Sequence, residues 1–340
     1  MRALSPVAKF LLRRAAFMAV ALFTFSLIIF LLPRLIPGNP LAALLAEIAQ
    51  RGQANPEAVR IYERMLTDYF KFDRPLYQQY FDFMGRLFRG DLGTSVRFFP
   101  SKVSELIAAS LPWTLALLIP ATLVSWVIGN YLGVVIAFKR GRRTDKVVYP
   151  VLLILSQTPY YWLAMILLYY FAVQLHLFPV AGVHSPLRVP NLSIDFIIDL
   201  LHHYTLPFLS IVLAATGWWA IGMRALAIYE TGSDYLLYAE SLGVSNRRLQ
   251  RFVLRNSMLP QVTGLAINFG TVLGGALITE LVFSYRGTGY MIYQSLISLD
   301  YMLIQGVFMV LMVTLLLAIF IVDVIYAYID PRIRTGYMGG

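Results

Sequence analysis

Long apolar runs alternate with short polar breaks along this chain. Runs of about 20 residues, enough for a helix to cross some 30 Å of hydrocarbon at about 1.5 Å per residue, fall at approximately 15–36, 113–137, 148–175, 205–229, 262–283 and 304–328. The pattern predicts an all-α integral membrane protein with six transmembrane helices. The first run follows Arg2, Lys9, Arg13 and Arg14, as a secretory signal would. However, Ala15–Leu32 holds 18 residues without a charge, and Pro33-Arg34 follows where a small-residue cleavage site would stand. The run is therefore expected to be a retained helix.

Between the first two runs the periodicity changes. Pro37-Gly38-Asn39-Pro40 breaks the chain, and two water-exposed helices are expected after it. Residues 56–70 carry Val59, Tyr62, Leu66 and Tyr69 at helical spacing behind an Asn55-Pro56 start. Pro75 opens the second, with Leu76, Tyr80, Phe83, Met84 and Leu87 as its apolar stripe. Arg89-Gly90-Asp91-Leu92-Gly93-Thr94-Ser95 then reads as a loop. Two roles fit this region: packing on an outer mouth, or a docking surface for an external partner. The division expected is 1–112, with the first span and this long segment, and 113–335, with five spans. In the third run, Pro159 after Ser156-Gln157-Thr158 predicts a kink whose freed carbonyls neighbouring polar groups satisfy. No fixed-period repeat is visible.

Composition agrees, since 59% of residues are hydrophobic and only 14% charged, against roughly 25% charged in soluble domains. The cations set the orientation. With the N-terminus inside, the cytoplasmic pieces hold the four named above, Lys139, Arg140, Arg142, Arg143 and Lys146, then Arg224, Arg247, Arg248, Arg251 and Arg255, and finally Arg332 and Arg334. The short external loops 176–204 and 284–303 hold only Arg188 and Arg286. Both termini are thus expected in the cytoplasm. A net charge of +10 placed along one membrane face meets anionic headgroups, and nucleic-acid binding is not expected. With no cysteine, disulfides, thiolate metal sites and cysteine nucleophiles are excluded.

Catalytic motifs are missing. There is no G-x-x-x-x-G-K-[ST] phosphate cradle, so the chain is not expected to hydrolyse ATP, and no H-E-x-x-H. His176, His184, His202 and His203 cluster on one external segment but lack the spacing of a helical metal pair, and no metal site is assigned. Asp195 and Asp199 are expected to solvate an amphipathic stretch there. Polar residues within the spans are Thr122, Ser125, Asn130, Ser156, Gln157, Thr216, Asn268, Thr271, Thr279 and Glu280. Each is costly in hydrocarbon and tends to face protein or water, so Ser125, Gln157, Thr216, Asn268, Thr271, Thr279 and Glu280 are candidates for a translocation path. For Glu280, an interfacial role capping the external loop is favoured over a substrate contact. No buried catalytic pair is present, which argues against an intramembrane enzyme. An ion-gradient transporter would need further buried carboxylates near the midplane.

Between the fourth and fifth runs stands YAESLGVSNRRLQRFVLRNSMLP, residues 238–260. Gly243 marks a turn or close approach. Leu249, Phe252 and Val253 then form an apolar ridge beside Arg247, Arg248, Arg251 and Arg255. Such a basic amphipathic helix suits a groove on another protein and equally an anionic lipid surface.

The glycine followed by Leu259-Pro260 resembles the EAA loop of binding-protein-dependent ABC transporter permeases. The resemblance covers nearly the whole chain. FLLRRAAFMAVALFTFSLIIFLLPRLIPGNP, GRLFRGDLGTS, TPYYWLAMILLYYFAV, LFPVAG, ELVFSYRGTGY, DYMLIQG and YIDPRIR are similar to motifs of the dipeptide, oligopeptide and nickel branch. At the Glu-Ala-Ala positions this chain has Leu237, Tyr238 and Ala239, so only the last small residue is kept. The resemblance implies the ABC importer permease fold in the cell's inner membrane, with no cofactor on this chain and ATP and Mg on partner subunits. It implies a second homologous permease, two ATPase subunits, an extracytoplasmic solute-binding protein and surrounding lipid as partners. Coupling to the ATPases would fall to a loop at about 230–262, through Ala239, Gly243, Arg247, Arg248, Leu249, Phe252, Val253, Leu259 and Pro260. The branch serves oligopeptides and dipeptides, with oligosaccharides or nickel as alternatives.

Overall fold

The structure is a computed structural model that describes residues 6–35, 45, 56–71, 73–186, 188, 191, 193–275 and 277–329, with side chains at most of these positions. The described secondary structure is helical, apart from one isolated bridge between Thr94 and Lys102. Two compact units emerge, 1–112 with 290–340, and 113–289. Residues 290–329, which the sequence pattern groups with 113–289, therefore pack in the first unit.

In the first unit, α1 (Pro6–Leu35) is almost wholly apolar and lies along α12 (Tyr301–Ile329). The short helices α2 (Pro56–Phe70) and α3 (Leu76–Leu87) each open beside a proline, whose fixed φ suits a helix start. Four members of the expected stripe of α3 pack inward, while Leu76 at its start is exposed. Ile29, Phe30, Phe83, Ile304 and Met309 form a core joined by Tyr80, Met84 and Leu87, and the Phe30 ring meets Tyr80 edge-on at 5.2 Å. The loop after α3 turns at Gly93, φ 86°, whose carbonyl accepts from the Val103 amide at 3.0 Å. It is anchored by Asp300, a fully buried carboxylate that accepts from the Ser95 hydroxyl, the Arg97 amide and the Leu303 amide. The last bond caps the start of α12. The GDLGTS and DYMLIQG motifs, about 200 residues apart, thus meet at one side chain.

The second unit holds the rest of α4 (Val103–Phe138), α5 (Arg143–Gln157), α6 (Tyr160–Leu167) with a π-helical continuation to Gln174, and α7 (Ile194–Thr231). It also contains α8 (Asp234–Ser241), α9 (Asn246–Gly275), α10 (Leu277–Val282) and the first residues of α11 (Thr288–Ile297). Close approach of α4 to α7 rests on a small-x-x-x-small spacing. A Cβ on Gly129 would lie 2.5 Å from the Trp219 Cβ, and one on Gly133 2.6 Å from the Ala220 carbonyl oxygen.

Among the described residues, three helices are long and apolar enough to cross a membrane: Lys9–Leu35, Val103–Phe138 and Ile194–Thr231. The α5–α6 pair makes a fourth if its 100° bend counts as one broken span. This bend falls at Thr158-Pro159, where Thr158 Oγ1 donates to the Ile154 carbonyl at 2.7 Å and Ser156 Oγ to that of Leu153 at 2.8 Å. The third run is thus kinked at the expected place; the hydroxyls bond back to carbonyls in the turn before the proline, an arrangement that itself favours a bend. The fifth run is absorbed into α9, whose opening turns are arginine-rich; it continues through Pro260 instead of stopping there. The sixth lies within α12, apolar over Tyr301–Leu317 among the described residues.

Candidate functional site

The basic segment between α7 and α9 begins with a helix end that explains two of its residues. α8 stops at Leu242, and Gly243 takes φ 76°. The Gly243 amide donates to the Glu240 carbonyl at 2.9 Å, and the Val244 amide to that of Ala239 at 3.2 Å. Together these bonds are the Schellman arrangement, in which a left-handed residue just past the helix lets the chain satisfy its last carbonyls. The apolar contact that accompanies such an end is present, since Ala239 and Val244 both pack against one core cluster. A Cβ at position 243 would meet nothing within 4 Å, so the glycine serves backbone conformation and not a close contact.

The expected ridge is divided by the fold. Leu249 and Val253, one helical turn apart, are buried against Val134, Ala137, Met223, Ala227 and Leu236. They fasten α9 to α4, α7 and α8, and so cannot enter a partner's groove. Phe252 is 42% exposed; Leu259 and Pro260 also face outward, as do Arg247, Arg248, Arg251 and Arg255. Free apolar surface lies instead on and just after α8, at Leu237, Tyr238 and Leu242. These three positions carry no weight in the sequence pattern, because exposure of an apolar residue cannot be read from a helix only eight residues long.

Two polar contacts that the sequence pattern misses hold the segment in place. The Tyr235 hydroxyl donates to Glu230 Oε1 at 2.6 Å, while Asn256 Nδ2 donates to that carboxylate at 3.0 Å and to the Tyr235 oxygen at 2.8 Å. This clamp ties the end of α7 and the start of α8 to the body of α9. Partial burial and then the Glu230 hydrogen bond push the Tyr235 phenol above its ordinary value. Nearby, Arg224 Nη2 donates to Asp145 at 3.1 Å while its guanidinium lies 4.0 Å from the centroid of the Tyr149 ring. The other Asp145 oxygen accepts from the Gly141 amide at 2.9 Å, which fixes the basic turn before α5.

The candidate path residues differ in their surroundings. Ser125 is fully buried and donates to the carbonyl of Thr122, while Thr216 and Thr279 are buried with hydroxyls that lack a partner among the described residues. Gln157 is exposed, Asn268 is half-buried, and the Thr271 side chain lies outside the described residues. Glu280 is fully enclosed by protein. Its carboxylate accepts from Thr114 Oγ1 at 2.6 Å, and that oxygen in turn accepts from the Thr288 amide at 2.8 Å. A Cβ on Gly287 would lie 2.4 Å from both Glu280 oxygens. The carboxylate does hold the turn after α10, but from inside. Among the external polar groups, Asp199 accepts from the amide and hydroxyl of Ser185 at 2.8 and 2.6 Å, so it orders a loop instead of solvating a surface. Among the described residues, no group of three or more His, Cys, Asp or Glu could hold a metal ion.

The sequence profile of the binding-protein-dependent transport system inner membrane component matches residues 129–335, including the whole basic segment. The chain belongs to that family. This permease is 31% identical to the di/tripeptide transport system permease protein DppB of Pseudomonas aeruginosa, over 96% of this chain and 98% of that one. It is 27% identical to the oligopeptide transport system permease protein AppB of Bacillus subtilis, over 96% and 100% of the two chains. The metal-staphylopine import system permease protein CntB of Staphylococcus aureus is also 27% identical, over 96% and 99%. In fold, the permease resembles the MetNI methionine ABC transporter in its inward-facing form, with a TM-score of 0.50 at 17% identity over 68% of this chain and 97% of that one. It is therefore a multi-pass membrane subunit of a binding-protein-dependent importer, with a transport role and not a catalytic one.

Proposed function

We propose that this permease forms half of the pathway of an ATP-driven importer for short peptides, and that α8, Gly243 and the start of α9 transmit the ATPase stroke to it. The observation that carries this is the joining of two properties in one segment. Leu237, Tyr238 and Leu242 present apolar surface outward, while Leu249 and Val253 lock the same segment into the core shared with α4 and α7. A push on α8 would therefore move helices instead of bending a loop. A helix lying passively on lipid would not need that internal anchorage. Peptide cargo is supported by the di/tripeptide and oligopeptide relatives, while the metal-staphylopine relative favours a chelated metal as second reading.

In this scheme six helices cross the inner membrane with both termini in the cytoplasm. A second, homologous permease completes the pathway, two ATPase subunits bind ATP and Mg, and a solute-binding protein delivers cargo from outside. Residues 38–112 face the exterior and 113–335 form the transport core. The test is uptake by the purified four-subunit complex in liposomes, with short peptides and metal chelates offered in parallel. Peptide uptake that requires ATP and the binding protein is expected. Uptake driven by an ion gradient without ATPase subunits would overturn the proposal.

A further inference from the structure

A cleft of about 510 Å³ in the first unit is lined by Arg34, Lys71, Arg74, Arg86 and Arg89, with Asp82 as its one carboxylate. Asp82 is already engaged by Arg74 at 3.3 Å. Arg34, at the end of α1, spends its donors on neutral acceptors, the Gln79 side-chain oxygen at 3.0 and 3.2 Å and the Phe30 carbonyl at 2.7 Å. Its guanidinium is set against the Phe30 ring, 3.7 Å from the centroid. Half-buried Arg86 faces only the Met302 sulfur, at 3.6 Å, and a thioether is a weak acceptor. Lys71 and Arg89 stand at the rim, exposed. Among the described residues no carboxylate reaches Arg34, Lys71, Arg86 or Arg89.

Such a concentration of like charge is unfavourable unless something anionic enters. Guanidinium groups held by packing on rings and helices are suited to carboxylate oxygens, which they can take two at a time. Apart from Arg34, the cations come from α3 (Arg86) and from the segments that follow α2 and α3 (Lys71, Arg74 and Arg89), not from the apolar spans, so the cleft opens from a polar surface.

We propose that this cleft receives carboxylate side chains from an acidic face of the external solute-binding protein, fixing that protein's register on the permease. This rests on the importer reading, and on residues 38–112 being external. The charges would act on encounter rate and orientation as well as affinity.

The experiment uses the whole permease–ATPase complex in discs of zwitterionic phosphatidylcholine, titrated with its own cargo-loaded binding protein at two salt concentrations. Lys71→Glu with Arg89→Glu changes only exposed side chains, and Arg86→Gln removes the charge without changing the helix. Binding is expected to weaken at least about tenfold in the double variant, with a flatter salt dependence, and to recover when an acidic residue of the binding protein is changed to lysine. Unchanged affinity and salt dependence would overturn the proposal. So would a loss seen only in discs containing anionic phosphatidylglycerol, which would mark a lipid headgroup site. If the unaltered complex neither binds the protein nor is stimulated by it, the importer reading itself fails, a result distinct from either.

Discussion

Gly243 carries the most specific backbone demand in the candidate site. At φ 76° with open space around its Cβ, replacement costs conformational energy alone, about 1–2 kcal/mol for alanine and more for a β-branched residue. Gly243→Val should therefore leave the buried core folded but loosen the end of α8. The expected readout is normal subunit assembly with reduced stimulation of ATP hydrolysis by cargo-loaded binding protein. Leu249 and Phe252 separate two roles that one helix periodicity merged. Leu249→Ala, at a site 2% exposed, should lower stability by about 2–5 kcal/mol in thermal unfolding. Phe252→Asp, at a half-open site, should leave unfolding nearly unchanged yet weaken ATPase co-purification by about tenfold, since burying such a ring is worth about 1.5–3 kcal/mol. The sequence shows that both lie on an apolar stripe; it cannot show that α4 and α7 already cover one side of it.

At the scale of elements, the bundle depends on backbones that touch. Gly133→Val would place a side chain 2.6 Å from the Ala220 carbonyl, and α4 would have to leave α7. A clear drop in the thermal midpoint of the purified complex is expected, with Gly85→Ala, in open surroundings and without a positive φ, as a control. The Glu230–Tyr235–Asn256 clamp gives a pH-dependent prediction. Because the folded Tyr235 phenol is held above its usual value, the clamp's contribution is fully present below about pH 10, the ordinary value, and is lost as pH rises through the raised one. Glu230→Gln, which removes the charged acceptor that raises the phenol, should remove part of that alkaline sensitivity. The bend at Pro159 was legible because a proline follows a polar triplet in an apolar run. Pro260 was not, since a proline also tolerates the interior of a helix whose neighbours hold it. The clamp was equally hidden, its three members being 21 and 5 residues apart with no periodic relation.

For the whole molecule, composition and run length settle the membrane class because hydrocarbon thickness leaves so little choice. The pairing of α1 with α12, which joins residues 290–329 to the first unit, has no such local signal. The buried Glu280 and Asp300 carboxylates likewise become intelligible only when loops distant in sequence close around them. The permease is expected to be inert alone, since motion must be supplied by ATPase subunits through a segment anchored in its own core. The most direct test of that claim places aspartate at Tyr238 and Leu242 together, on the exposed side of the anchored segment, and measures ATPase recovery and binding-protein-stimulated hydrolysis in the reconstituted complex. Loss of both, with an unchanged thermal midpoint for the permease itself, is the result the account predicts. Full recovery and normal stimulation would contradict it, leaving the segment as a helix that rests on the membrane surface.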